Sequence, residues 1–246
     1  MNYNNYWIEK TERREKNKYY PKRYDRIIKY ITPAPTGKIL DLGRGNGQLG
    51  KILDLGGGNG QFMSYISFYM YFIRDEKLLF RTEIWDISKD GIQIAREKGY
   101  TTRLIDIQKS ILYKKKFGTI YINEVLEHLT KPNIALVNAY NLLEDKGKLI
   151  VCQPNAKADG KYHIRQYKYK EIKNDLIKSG FKIEKELVTP AFEKWQINRK
   201  DLFRKLSITL WLCFLLTFLP YSVRKLLANL YPSRFGLFYV FICKKV

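Results

Sequence analysis

Hydrophobic positions fall into short blocks divided by glycine- and proline-rich breaks. Two blocks follow one another directly. GKILDLGRGNGQL occupies residues 37–49 and GKILDLGGGNGQF residues 50–62, the same unit repeated with a period of 13. Each copy reads as a short apolar strand that ends in an acid and a glycine-rich turn. Ahead of them, Tyr24, Ile27, Ile28 and Ile31 recur at helical spacing and predict a short helix over 23–31. Pro33-Ala34-Pro35-Thr36-Gly37 stops it. Behind them, the stretch 61–73 is dense in apolar residues and long enough for three helical turns. Further strands are expected over 83–88, 102–107, 117–123, 148–155, 181–187 and 236–242. Helices are expected over 91–98, 133–144 and 169–179, closed by Gly99, Gly147 and Gly180.

The residues after each copy of the repeat distinguish the two. Copy one runs into Gly50-Lys51-Ile52-Leu53, a new strand, so no helix can open at its glycine turn. Copy two runs into the 61–73 helix. Glycines after a strand let the backbone turn tightly and approach a ligand, and a helix opening there offers it free N–H groups. Asp54, Gly56, Gly58 and Gly60 are therefore the expected ligand loop. Arg44 also places a long charged side chain where copy two has Gly57. Copy one is then a duplication carried as a loop or an extra strand. Copy one taking the slot, or the two exchanging by slippage, remain the alternatives.

DLGxGNG after a strand resembles motif I of the class I S-adenosylmethionine (SAM) dependent methyltransferases. A second match, Glu124-Val125-Leu126-Glu127-His128-Leu129, resembles the EVLEHL motif of that family's small-molecule branch, which includes quinone-type methyltransferases. The resemblance covers about residues 22–190 and 235–245. It implies an α/β fold: a seven-stranded, mostly parallel Rossmann-like sheet with helices on both faces and an antiparallel last strand. It also implies cofactor roles for particular residues. Asp86, ending the second strand, would accept hydrogen bonds from ribose hydroxyls, with helix capping as its bland alternative. Asp106 would meet the adenine amino group, or serve only as a turn acid. Asn123, ending the fourth strand, is placed with the cofactor set. Gly118 departs from the family, which usually has Asp there.

Glu124, Glu127 and His128 are spaced to share one side of a helical turn. The chain has two histidines, His128 and His163, and both would lie at the carboxyl ends of strands, where ligands bind in open α/β sheets. Two carboxylates and two imidazoles suit a divalent metal. Some relatives use such an ExxEH set for metal-assisted O-methylation, on quinone precursors and on RNA 3′ ends. Without a metal, His128 or His163 could act as general base, since imidazole titrates near neutrality.

Charge and composition add the partners. The formal net charge of the 246 residues is +21, which favours anionic surfaces. Three scattered cysteines argue for a reducing compartment, and the N-terminus carries no apolar signal region, so a cytoplasmic protein is expected. Residues 1–36 read as a basic helical segment and 37–246 as the methyltransferase domain, with a hydrophobic and basic insertion over 192–234. Within that insertion, Leu206 to Leu219 is apolar all round and about 14 residues long, short of the roughly 20 that span a bilayer. From Leu202 to the end there is no acid. This pattern suits a hairpin lying in an anionic membrane interface, on the inner face. A lid over the substrate and a dimer interface are the alternatives. The chain is therefore expected to be a SAM-dependent methyltransferase acting on a hydrophobic or lipid-linked small molecule, on oxygen. The rivals are RNA methylation through a metal-assisted ExxEH site, less favoured because aromatic platforms are not interleaved with the basic residues, and an inactive SAM-fold protein bound to a membrane.

Overall fold

The computed structural model describes residues 51–71, 82–155, 163–190 and 218–246. The expected helix over 23–31, copy one of the repeat, and most of the apolar run 206–219 lie outside the described residues.

Seven strands form one sheet in the order β3-β2-β1-β4-β5-β7-β6. They are β1 (Ile52–Leu55), β2 (Thr82–Asp86), β3 (Thr101–Leu104), β4 (Phe117–Asn123), β5 (Leu143–Pro154), β6 (Phe181–Pro190) and β7 (Gly236–Lys245). The pairings from β3 through β5 are parallel, and β7 runs antiparallel to both β5 and β6. The mostly parallel sheet with an antiparallel last strand is thus present. Copy two supplies β1, at the centre. The helices are α1 (Gln61–Tyr71), α2 (Lys89–Glu97), α3 (Pro132–Leu142), α4 (Tyr169–Lys178), α5 (Tyr221–Leu230) and the single turn α6 (Pro232–Phe235).

Side chains alternate across a strand, so a sheet covered on both faces needs apolar residues at nearly every position. β1 and β4 meet that requirement. Leu53, Leu55, Ile120 and Ile122 join Leu136, Ala139, Ile172 and Leu176 of α3 and α4 on one face. Ile52 and Tyr121 join Phe62, Met63 and Ala95 of α1 and α2 on the other. Cys152 and Cys243 are thiols buried in the strands. Leu53 is wholly buried, and Leu53→Ala is expected to cost about 3 kcal/mol by transfer and cavity terms together. Urea unfolding monitored by circular dichroism reads it; a loss below about 1 kcal/mol would show that the centre of the sheet is not its core.

Several element boundaries move from their expected places, most of all at β3, between α3 and β5, and at β6 and β7. β3 stops at Leu104, short of the expected 107, because the Asp106 side chain accepts from Gln108 N at 3.0 Å and turns the chain. α3 ends at Leu142 and β5 begins at once, since Leu143 pairs with Phe117. The register then steps from Leu143 to Lys148 while β4 advances only from Phe117 to Thr119, a bulge that contains the positive-φ Lys146. β6 and β7 run beyond their expected ends, to Pro190 and Lys245, because each completes the other's ladder. Among the described residues no helix is long and apolar enough to cross a membrane.

Candidate active site

Parallel strands point their carboxyl ends to one edge, and the glycine loop after β1 lies there. Gly56 and Gly60 sit at φ 81° and 70°, the left-handed region that side chains avoid. Space forbids side chains as well: a Cβ on Gly56 would come within 2.8 Å of Val125, and one on Gly60 within 2.6 Å of Ile84. At Gly57 a Cβ would meet Asp54 Oδ2 at 2.5 Å. Copy one carries Arg44 at the equivalent position, so its sequence could not take up this loop without moving the acid. Sterics therefore favour copy two as the working loop.

Asp54 is fully buried, and neither of its carboxylate oxygens has a hydrogen-bond partner. Burial first, and then the charge of Asp86, push it up to about 8. Asp86 ends β2. Its oxygens accept from Gly58 N at 2.9 Å and Ser88 N at 2.8 Å. Burial raises Asp86 as well, against the opposing pull of those N–H groups and of His128. Gly58 and Asp86 are therefore tied together across 28 residues, a link that spacing does not announce. Helix capping falls to Ser88, whose hydroxyl accepts from Gly91 N at 3.1 Å. A second tie is equally hidden in the sequence: Lys98, at the end of α2, donates to Asn59 O at 2.9 Å. Asp106 lies two residues beyond β3, at the same edge, and makes the turn already described.

The fourth strand ends at Asn123, half-buried opposite Cys152. Glu124 then takes φ 55°, in a non-glycine position, with its N–H on Cys152 O at 2.8 Å. Such strain clusters at functional sites. The expected helical turn is narrower than the motif: a single 3-10 turn spans Leu126–His128, and Glu124 lies before it. Glu127, His128 and His163 converge, each offering a ligand atom within 4.8 Å of the others. Glu124 is not in that group. Glu127 Oε1 is 3.8 Å from His128 Nε2, and the two imidazole centroids are 5.0 Å apart. Ile164 N donates to Glu127 O at 3.1 Å, which brings the His163 segment onto the motif.

Glu127 is buried, with Oε1 lacking a hydrogen-bond partner. Desolvation and the nearby Glu124 charge raise it to about 7, against the pull of Gln153 and His163. Gln153, wholly buried on β5, donates to Glu127 Oε2 at 2.9 Å. Sequence reasoning missed it, because only strand pairing brings it beside a residue 26 positions earlier.

Comparisons with known proteins bear on the fold and the family. No curated protein matches the chain in sequence. Among solved structures, an O-methyltransferase from a trans-AT PKS multienzyme of Brevibacillus brevis, in complex with S-adenosyl-L-homocysteine, superimposes with a TM-score of 0.52 at 16% identity, over 82% of this chain and 69% of that one. A SAM-dependent methyltransferase of Thermotoga maritima gives 0.51 at 16%, over 81% and 83%. The [4+2]-cyclase SpnF gives 0.51 at 14%, over 80% and 74%. At such identities these likenesses establish the fold alone. The family model for the methyltransferase domain, however, matches residues 14–187, well over half the chain. A match of that length settles the relationship: this chain belongs to the class I SAM-dependent methyltransferases.

Proposed function

We propose that the enzyme methylates a hydroxyl oxygen of a hydrophobic or lipid-linked small molecule, with the cluster of Glu127, His128 and His163 positioning that hydroxyl and taking its proton. The cluster carries this reading. It lies at the end of β4, the strand next to β1, so acceptor groups and glycine loop share the same edge.

The residues of the loop fit the cofactor. The two unpartnered oxygens of Asp54 suit an ammonium group such as that of the methionine moiety, and Asp86 has lone pairs left for ribose hydroxyls. When bound, SAM supplies an electrophilic sulfonium methyl. What is left to the protein is alignment and proton removal. His128 lies beside both Glu127 and the second imidazole. It accepts the hydroxyl proton as the oxygen–carbon bond forms and the sulfur–carbon bond breaks. Glu127, held by Gln153, orients and stabilises the resulting imidazolium.

A second reading is favoured by the same three residues. Two imidazoles and a carboxylate with a spare buried oxygen suit a divalent transition metal. Glu127, His128 and His163 would hold it, and it would acidify the acceptor hydroxyl. The two readings part on chelation: full activity after dialysis against EDTA leaves the imidazole as base, and loss restored by zinc or manganese assigns the metal.

The direct test incubates the enzyme with tritiated-methyl SAM, a bacterial membrane lipid extract and RNA. Label should enter the organic phase, resist mild base as a methyl ether does, and be released only by strong acid such as hydriodic acid. Label found only in the RNA would overturn the proposal.

Cofactor affinity should also depend on pH. In the free enzyme Asp54 holds a proton below about 8. That proton must leave when an ammonium arrives, so affinity for S-adenosylhomocysteine should rise about tenfold per pH unit from 6 to 7.5. A raised carboxyl binds its proton more tightly folded than unfolded, so its contribution to stability is lost as pH climbs from the ordinary 3.8 towards 8. Calorimetric titration across that range, with Asp54→Asn as the flat control, checks it. An equally steep profile in the variant would remove Asp54 from the explanation.

A further inference from the structure

α5 (Tyr221–Leu230) is amphipathic in an unusual sense, because an apolar stripe faces out. At 3.6 residues per turn, Val223, Leu226 and Leu230 fall on one side of the helix, and Arg224 and Ala228 on the other. Ala228 is wholly buried in the sheet core. Leu226 and Leu230 are 57% and 62% exposed, Val223 is 39% exposed, and Tyr231, just past the helix, is 59% exposed. Folding alone does not explain three aliphatic side chains aligned into solvent.

The setting of the stripe indicates what covers it. Between Leu202 and Val246 the sequence has seven Lys or Arg and no acid. The preceding run, Leu206 to Leu219, is apolar except for Ser207, Thr209 and Thr217. A second copy of a chain carrying +21 would be repelled by the same charge. Apolar side chains with flanking cations and no acids instead suit a bilayer surface bearing anionic headgroups.

We propose that the outward stripe of α5, Val223, Leu226 and Leu230, with Tyr231 beside it, docks on an anionic membrane surface. α5 lies between the end of β6 and the start of β7, and both of those ends are at the carboxyl edge of the sheet. Asn155, which ends the β5 side of that edge, donates through its amide to Ser233 O at 3.0 Å and Gly236 O at 2.9 Å, so the segment after α5 is fastened there. β7 is two strands from β4, about 10 Å at normal strand spacing. The docked face is therefore beside the edge that carries Glu127 and His128, and an acceptor dissolved in the bilayer would have a short path to it. The docking surface itself does not depend on the methyl-transfer reading.

The test is flotation of the full chain with vesicles of phosphatidylcholine containing phosphatidylglycerol, for the wild type and the double variant Leu226→Glu/Leu230→Glu. Both positions face solvent, so the variant should fold, and an unchanged calorimetric affinity for S-adenosylhomocysteine confirms that it has. Expected is at least about a tenfold weaker association of the variant, and a similar loss for the wild type on phosphatidylcholine alone or in high salt. Equal flotation of wild type and variant, equal binding to neutral vesicles, or no vesicle binding by the wild type would each overturn the proposal. A wild-type dimer, seen by light scattering, that the variant abolishes while vesicle binding is unaffected would give the stripe to a second copy. Wild-type protein that floats yet binds no S-adenosylhomocysteine would instead refute the catalytic reading and leave the docking surface standing.

Discussion

Gly57→Arg should weaken S-adenosylhomocysteine binding by about a thousandfold or abolish it. The substitution writes copy one's residue into copy two, and two effects act together. A Cβ at this position lies 2.5 Å from Asp54 Oδ2, closer than any van der Waals contact, so the acid or the loop must move. The guanidinium would also pair with the buried carboxylate and occupy the place proposed for the cofactor's ammonium. Loop displacement reaches further, because Gly58 is tied to Asp86 and Asn59 to Lys98. Calorimetry on the variant decides the matter, with Arg44→Gly as its mirror. Binding within threefold of the wild type in Gly57→Arg would mean that this loop does not hold the cofactor.

His128→Ala should lower methyl transfer into the lipid extract by about a hundredfold to a thousandfold while cofactor affinity stays close to that of the wild type. The separation is what identifies the role. His128 clusters with Glu127 and His163 and reaches the glycine loop only through its charge on Asp86, so its loss should touch the chemical step far more than the loop. A companion variant, Gln153→Leu, leaves the imidazoles in place and removes the donor to Glu127 Oε2. It should shift the pH profile of transfer, because Glu127 then loses the bond that favours its charged form. Parallel falls in affinity and rate for His128→Ala would point to a collapsed site.

Much of this architecture is legible in the sequence, for reasons that particular residues make plain. β1 and its turn can be read because local chemistry decides them: an apolar strand, then glycines where the backbone turns left-handed and a Cβ would collide. β4 can be read because it is apolar at successive positions, the mark of a strand covered on both faces. A strand after copy one and a helix after copy two already separate the copies, and Gly57 against Arg44 supplies a steric reason for the same choice. Less legible is whatever depends on pairing between distant residues. Gln153 carries no signal on its own strand, and its meaning comes from Glu127 on the neighbouring segment. The dual bonding of Asp86 to Gly58 and Ser88 is likewise invisible in spacing. The spacing of Glu124 from Glu127 and His128 suggests one shared helical turn, but its positive φ sets it apart from that turn. β5 starts earlier than its apolar core suggests, because the bulge over 143–148 hides strand behind a polar, glycine-containing stretch.

The antiparallel β7 has a consequence for how the protein is made. It fits between β5 and β6, so those two strands never touch along the sheet and each leans on a segment that comes after them both in the chain. On a ribosome, β1 to β5 can emerge and pair in sequence, but β5 must wait with one backbone edge open until residues 236–245 leave the exit tunnel. Such late, distant closure is slow and leaves an unpaired edge available to other chains. Nascent chains halted before Gly236 should therefore be strong clients for chaperones, and the last ten-residue strand acts as the clasp that ends that exposure.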